Sequence, residues 1–147
     1  MKRTLSLVLA FPVAVAVLVL FPASKHRVLA AEHHGCSNVT LTGNYGFAFS
    51  GFQIQNNKPL PFDGAGIATF DGSGNVSAPF AYSINGASST SPYTGTYTVN
   101  SDCSVSLTAT PGSGGDNLIG AIVGDGAEVL LTDISAPDTL NLDMKRQ

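Results

Sequence analysis

Residues 43–52, GNYGFAFSGF, carry the alternation that decides the fold of this chain. Tyr45, Phe47 and Phe49 occupy every second position, and small residues lie between them. Successive side chains of a β-strand point to opposite faces. Aromatic residues on one face and small residues on the other therefore predict a half-buried strand.

The same period of two recurs along the chain after Cys36, where we find no helical periodicity. The connections are short, so neighbours in sequence should pair antiparallel. Closing such a meander removes its two exposed edges. The pattern predicts an all-β, single eight-stranded antiparallel up-and-down barrel, and a two-sheet β-sandwich is the alternative. The predicted strands are 41–52, 64–70, 76–84, 93–100, 103–110, 118–123, 127–134 and 139–144.

The amino-terminal residues have the layout of a secretory signal peptide. A basic start is followed by an almost wholly apolar run over residues 5–23, and the segment ends in small residues at Ala30-Ala31. An uncleaved membrane anchor is the alternative, because the run approaches the roughly 20 residues that span a bilayer. We expect residues 1–31 to be the signal peptide, 32–40 a lead-in segment and 41–147 the barrel domain. The protein should then be secreted or periplasmic, with no membrane contact after cleavage.

Charge and cysteine content limit the function further. The expected mature chain keeps three basic residues against all ten acidic ones, a net charge of −7 that disfavours nucleic-acid binding. Cys36 and Cys103 are the two cysteines. An even count in an exported protein favours a disulfide between them, and two separate thiols are the alternative.

The stretch from Asp71 to Tyr82 raises the question of a calcium loop. Asp71, Ser73 and Asn75 are spaced like the first ligands of an EF-hand. However, Val76 takes the place of the turn glycine and Tyr82 that of the bidentate glutamate. The flanks are strand-like, so we predict the tip of a β-hairpin.

The order of three short motifs resembles a group of small exported bacterial proteins. The motifs are GNYGF at 43–47, FDGSGNV at 70–76 and GTYTVNSDC at 95–103. These proteins are similar to the allene-oxide-cyclase-like, calycin-type barrels, and the resemblance implies a barrel that hosts small apolar molecules. The lipocalin G-x-W motif would fall at Gly43-Asn44-Tyr45, but the chain has no tryptophan. No cyclase catalytic residue matches, so the catalytic residues stay unknown.

Aromatic side chains are the candidates for a ligand-binding wall inside the barrel, although a plain packed core is the alternative. The interior of an eight-stranded barrel either is filled or holds one small ligand. Asp133 and Glu128, at the ends of one predicted strand, are candidates for a carboxylate pair at a barrel mouth. We expect no cofactor. The candidate lining residues are Tyr45, Phe47, Phe49, Tyr82, Tyr93 and Tyr97.

Two further features suggest partners. Strands 118–123 and 127–134 are apolar on both faces, which predicts a homo-oligomer contact on the outside of the barrel, or else a covering loop. His33 and His34 would be near the new amino terminus. A free amine, backbone amides and a third-position imidazole can bind Cu(II) or Ni(II), although a tail without metal is the simpler interpretation.

Three functions are consistent with these observations. The composition favours a non-catalytic exported barrel that binds a small apolar ligand or serves as a surface module. A cyclase- or isomerase-like enzyme that uses the barrel cavity is the alternative, and a structural subunit is the third hypothesis. A carboxylate or tyrosine aimed into an open cavity would favour the enzyme.

Overall fold

The structure is a computed structural model that describes residues 35–147. The predicted signal peptide and the histidines His33 and His34 lie outside the described residues. Across the described residues, no helix has the length and apolar character needed to cross a membrane.

A short 3-10 helix, Asn38–Thr40, precedes ten antiparallel strands. The strands are β1 Thr42–Gln55, β2 Lys58–Asp71, β3 Asn75–Ser77, β4 Phe80–Ile84, β5 Ala87–Ser91, β6 Thr94–Val99, β7 Ser104–Ala109, β8 Leu118–Val123, β9 Glu128–Asp133 and β10 Thr139–Arg146.

Eight of these strands form a closed circuit. Hydrogen bonds join them in the order β1-β10-β9-β8-β7-β6-β3-β2, and β2 pairs again with β1. The predicted eight-stranded antiparallel barrel is therefore confirmed, and the sandwich alternative is excluded because one continuous sheet closes on itself. Strands β4 and β5 form a hairpin that extends β2 beyond this circuit. Pro79 and Pro92 separate this hairpin from β3 and β6, since proline cannot donate a ladder hydrogen bond.

The long arms of the first hairpins are the main difference from the predicted strands. Strand β2 begins at Lys58 rather than at residue 64, the predicted strand 76–84 is divided into β3 and β4, and β5 was not predicted. In the sequence, Pro59 and Pro61 argue against a strand. In the structure, this part of β2 pairs only with β1, because the pairing of β2 with β4 begins at Phe62. Proline is tolerated at such an edge. Asn85 and Gly86 both have positive φ and form the turn that brings β5 onto β4.

One end of the barrel is closed by the lead-in segment and is called the closed end below. The Tyr45 hydroxyl donates to the Gly126 carbonyl over 2.7 Å and accepts from Arg146 Nη2 over 2.8 Å. The Tyr97 hydroxyl donates to the Leu41 carbonyl over 2.8 Å. The predicted Cys36–Cys103 disulfide is present and joins the lead-in segment to the β6–β7 turn.

The stretch 71–75 is the tip of a hairpin, as predicted. Strand β2 pairs with β3 through Phe70 and Val76. Asp71 Oδ1 accepts from the backbone N–H groups of Ser73 and Asn75, and Asp71 Oδ2 accepts from the Asn75 side-chain amide. These bonds, led by the one from the Asn75 side chain, lower the pKa of Asp71 to about 2. The carboxylate therefore serves to order the turn.

Candidate functional site

The end of the barrel opposite the closed end is called the mouth. It consists of the turns at 56–57 and 85–86 and the loops 110–117 and 134–138. Strands β1 and β2 have 14 residues each and the β4–β5 hairpin pairs with β2, so one side of the mouth is tall. The inner face of this side carries Phe62, Phe80 and Tyr82. The opposite side is formed by the two loops.

A small apolar cavity lies inside the barrel next to the mouth. It has about 60 Å³ of space open to a water-sized sphere. Edge-to-face ring contacts organise one wall, with centroids 4.9 Å apart for Phe49 and Phe62 and 5.7 Å apart for Phe49 and Phe80. The aromatic residues of the wall are Phe47, Phe49, Phe62, Phe80 and Tyr93.

Glycines on β2 make room for these rings. Phe49 faces Gly64 and Phe47 faces Gly66 across the β1–β2 ladder. A Cβ atom on Gly64 would lie 2.5 Å from the Phe49 ring, and one on Gly66 would lie 2.8 Å from the Phe47 ring. Larger residues would push both rings toward the cavity, so the glycines help to keep it open.

Two of the residues that line the cavity are titratable, Asp116 and Tyr93. Asp116 lies in the loop 110–117, and burial, followed by the negative charges of Asp133 and Asp138, raises its pKa to about 6. Burial, followed by the charge of Asp116, raises the pKa of Tyr93 to about 12. Tyr93 therefore remains a hydrogen-bond donor at neutral pH, and its hydroxyl donates to the Asp116 carbonyl oxygen over 3.4 Å.

The other two carboxylates of the mouth are held by backbone groups. Asp138 Oδ1 accepts from the Ile54 N–H over 2.8 Å, and Asp133 Oδ1 accepts from the Ser135 N–H over 2.6 Å. Two buried polar atoms at this end, Asp133 Oδ2 and Ser113 Oγ, have no hydrogen-bond partner within residues 35–147. Buried polar atoms are normally paired, so these two atoms are exceptions within the described residues.

The six residues predicted to line a cavity divide between the two ends of the barrel. Phe47, Phe49 and Tyr93 lie on the cavity wall. Tyr45 and Tyr97 lie in the closed end, where their hydroxyls bond to backbone carbonyls. Tyr82 lies on the tall side of the mouth and contacts the Phe62 and Phe80 rings.

Sequence reasoning missed most of the wall, including two aromatic residues, Phe62 and Phe80, and the acidic residue Asp116. Phe62 lies before the predicted strand 64–70. Phe80 lies within the predicted strand 76–84, two residues before Tyr82 and on the same face, so the alternation was a signal for it. Asp116 was read as a turn residue among glycines. The Asn85-Gly86 dipeptide was an available signal for the tall hairpin, since it is typical of a two-residue β-turn.

Asp133 and Glu128 do not form the carboxylate pair considered from sequence. They lie at opposite ends of β9, and Glu128 is 3.6 Å from Lys145 Nζ at the closed end. The structure instead places Asp133 with Asp116 and Asp138 at the mouth. Within the part of the chain described, no three His, Cys, Asp or Glu side chains are grouped so as to hold a metal ion.

The outer face of β8 is apolar, as the sequence indicated, whereas the outer face of β9 carries Leu130 between Glu128 and Thr132. Ile119, Val123 and Leu130 are exposed there, whereas Leu131 is buried inside the barrel. We call Ile119, Val123 and Leu130 the outer stripe. A contact between copies through this stripe stays a prediction.

The fold and the site together define a closed eight-stranded antiparallel barrel, consistent with a calycin-like barrel, with one closed end and an apolar cavity at the other. No protein-family model matches the chain, and a search of curated proteins found no significant match.

Proposed function

We propose that this protein is an exported, non-catalytic barrel that binds a small apolar molecule in the cavity at its mouth. The observation that carries the proposal is the cavity itself, whose wall is mainly aromatic and aliphatic. Empty apolar space forfeits contacts that a ligand would restore, and cavities of this kind bind small apolar molecules. The calycin-like architecture supports the same use, because an eight-stranded barrel has room for one small ligand.

A cavity-filling substitution tests this proposal. Ala78 is buried on the cavity wall, so Ala78→Leu should occupy the space and abolish binding of 1-pentanol, followed by NMR shifts of the wall residues. Ala65→Leu is the matched control, because Ala65 is exposed on the outer face of β2. Saturable shifts in the wild type and in the control, but not in Ala78→Leu, are expected. No saturable shift in the wild type would refute the proposed function.

Export and the relationship to allene-oxide-cyclase-like barrels belong to the same proposal. The Cys36–Cys103 disulfide supports export, because disulfides persist in oxidising compartments. The apolar run before residue 31 supports a cleaved signal. The intact mass of protein recovered from the periplasm or medium should correspond to a chain that begins after Ala30 or Ala31, with the two cysteines oxidised. A full-length mass in the membrane fraction would contradict cleavage.

A cyclase- or isomerase-like activity is the second candidate, and one observation favours it. Asp116 lies in the cavity wall with its pKa raised to about 6, near the value that suits a general acid or base at neutral pH. The test is chiral chromatography of the products of an allene oxide generated in the presence of the protein. A single enantiomer formed by the wild type and lost with Asp116→Asn would support the enzyme. A racemate in both cases would exclude this cyclisation.

A further inference from the structure

We propose, resting on the ligand-binding function above, that the cavity takes a short alkyl chain ending in a protonated amine, with the amine at the mouth beside Asp116. Asp116 is one of the residues that line the cavity together with the aromatic rings, so one ligand can contact both.

The size of the cavity requires that the polar end of a ligand lie at the mouth. The open space of about 60 Å³ is smaller than the roughly 150 Å³ of a cavity that binds benzene. It therefore accommodates a few carbon atoms. The rest of a longer or amphipathic molecule has to extend past the loop 110–117, where Asp116 lies.

The charges at the mouth favour a cation over an anion. Asp116 lies in the loop 110–117, whereas Asp133 and Asp138 lie at the two ends of the β9–β10 connection. Each of the latter two raises the pKa of Asp116 through its negative charge. Tyr93, the remaining titratable group beside Asp116, is neutral because its pKa is raised to about 12. A carboxylate ligand would meet repulsion from this group, whereas an ammonium group would relieve the repulsion among the three carboxylates.

Basic side chains form no ion pair with these three carboxylates in the part of the chain that the structure describes. Lys145 lies at the closed end and pairs with Glu128 and Asp143. Arg146 is also at the closed end, over the Tyr45 ring. Lys58, at the β1–β2 turn, is exposed and belongs to neither of the ion pairs found among the described residues.

Two polar atoms at this end of the barrel, Asp133 Oδ2 and Ser113 Oγ, are buried and unpaired among residues 35–147. Neither residue lines the cavity, so the amine of the ligand is assigned to Asp116 alone. An ammonium group has three N–H donors and no acceptor, which suits a carboxylate.

The experiment compares three ligands with the same alkyl chain: n-pentylamine, 1-pentanol and pentanoate. Dissociation constants come from NMR titration of the wild-type protein at about pH 7.5 and low salt. We expect the amine to bind about three- to tenfold more tightly than the alcohol, and pentanoate to bind most weakly. The expected preference is modest because charge interactions at partly exposed sites are weak. Added salt should reduce the preference for the amine, because screening weakens charge interactions.

Asp116→Asn should lower the ratio of amine to alcohol affinity, and Asp125→Asn, in an exposed turn at the closed end, should keep the wild-type ratio. Equal affinities for amine and alcohol in the wild type, or tighter binding of pentanoate, would overturn this inference and leave the proposed function standing. Absence of binding by all three ligands would overturn both. The salt dependence needs only the wild type, so it decides the question even if Asp116→Asn does not fold.

Discussion

At the scale of single residues, the two ends of the barrel use tyrosine in opposite ways. Tyr45 is fully buried, and its hydroxyl connects Gly126 to Arg146 at the closed end. Tyr93 packs against the loop at the mouth, where a Cβ atom on Gly115 would overlap its ring. The first closes the barrel by hydrogen bonds, and the second contributes to an open wall.

The Tyr45 hydroxyl should contribute measurably to stability. Tyr45→Phe leaves the Gly126 carbonyl and the Arg146 guanidinium without their shared partner, which should cost about 1–3 kcal/mol in the free energy of unfolding. Tyr82→Phe is the control, because the Tyr82 hydroxyl makes no side-chain hydrogen bond within residues 35–147. Its effect should be within about 0.5 kcal/mol. Denaturant unfolding measures both, and equal effects would contradict this role of Tyr45.

Asp116 should make stability depend on pH. Its pKa is about 6 in the folded protein and lower in the unfolded chain, so the folded state binds its proton more tightly. The stabilisation from this group is complete below about pH 4 and is lost as the pH rises through about 6. Relative to the wild type, Asp116→Asn should therefore gain stability between about pH 4 and pH 7.5, as measured by denaturant unfolding.

Asp125→Asn is the matched control for this pH dependence, since Asp125 is exposed in the β8–β9 turn and asparagine tolerates its positive φ. A pH-independent difference between Asp116→Asn and the wild type would contradict the raised pKa.

At the scale of elements, β1 and β2 are complementary in size across their shared ladder. Strand β1 places large rings on the inner face, and β2 places Gly64 and Gly66 opposite them. The tall hairpin of β4 and β5 then covers the same rings from the other side of β2. The cavity therefore depends on the pairing register of three segments.

Gly64→Ala should disturb this arrangement. The added Cβ atom would lie 2.5 Å from both the Phe49 ring and the Ala81 carbonyl oxygen, so the ring has to move into the cavity or the strands have to separate. We expect a loss of about 1–3 kcal/mol and shifted Phe49 resonances. Ala65→Ser, on the outer face of the same strand, should leave both nearly unchanged. Unaltered Phe49 resonances in Gly64→Ala would refute the close approach.

At the scale of the whole molecule, the disulfide and the closed end hold the lead-in segment against the barrel. Cys36 and Cys103 are 67 residues apart in sequence, so their bond constrains a long loop in the unfolded chain. The Val99 N–H also donates a hydrogen bond to Asn38 Oδ1 over 2.8 Å. The mouth has no comparable covalent connection among the described residues.

Removing the disulfide should destabilise the protein without abolishing the barrel pairing. Cys36→Ser combined with Cys103→Ser should lower the free energy of unfolding by about 2–4 kcal/mol. Reduction of the wild type should lower it by a similar amount, which controls for the serine substitutions. Far-ultraviolet circular dichroism should still report a β-sheet. An unchanged unfolding midpoint would contradict a stabilising role for the bond.

The outer stripe provides a test of self-association. Ile119 is 43% exposed on β8, and Ile67, on the far side of the circuit in β2, is 47% exposed. If copies associate through the stripe, Ile119→Lys should lower the apparent mass on a sizing column, whereas Ile67→Lys should not. A wild type that elutes as a monomer, or equal behaviour of the two variants, would contradict the contact.

Much of the architecture follows from local patterns in the sequence. The alternation in 43–52 and the short turns predicted an all-β meander, because successive side chains of a strand point to opposite faces with different surroundings. Edge protection then favoured closure, and the cysteine count favoured the Cys36–Cys103 bond. These inferences rest on patterns among neighbouring residues, on the number of cysteines and on the general cost of unpaired strand edges.

The tertiary structure alone decided which aromatic residues surround a cavity and which fill the closed end. Tyr45 and Phe49 lie on the same face of β1, yet the first packs beneath the lead-in segment and the second beside open space. That difference depends on what reaches each end of the barrel from distant parts of the chain. The same holds for Asp116, whose pKa is raised by Asp133 and Asp138 only because the loop 110–117 meets the β9–β10 connection at the mouth.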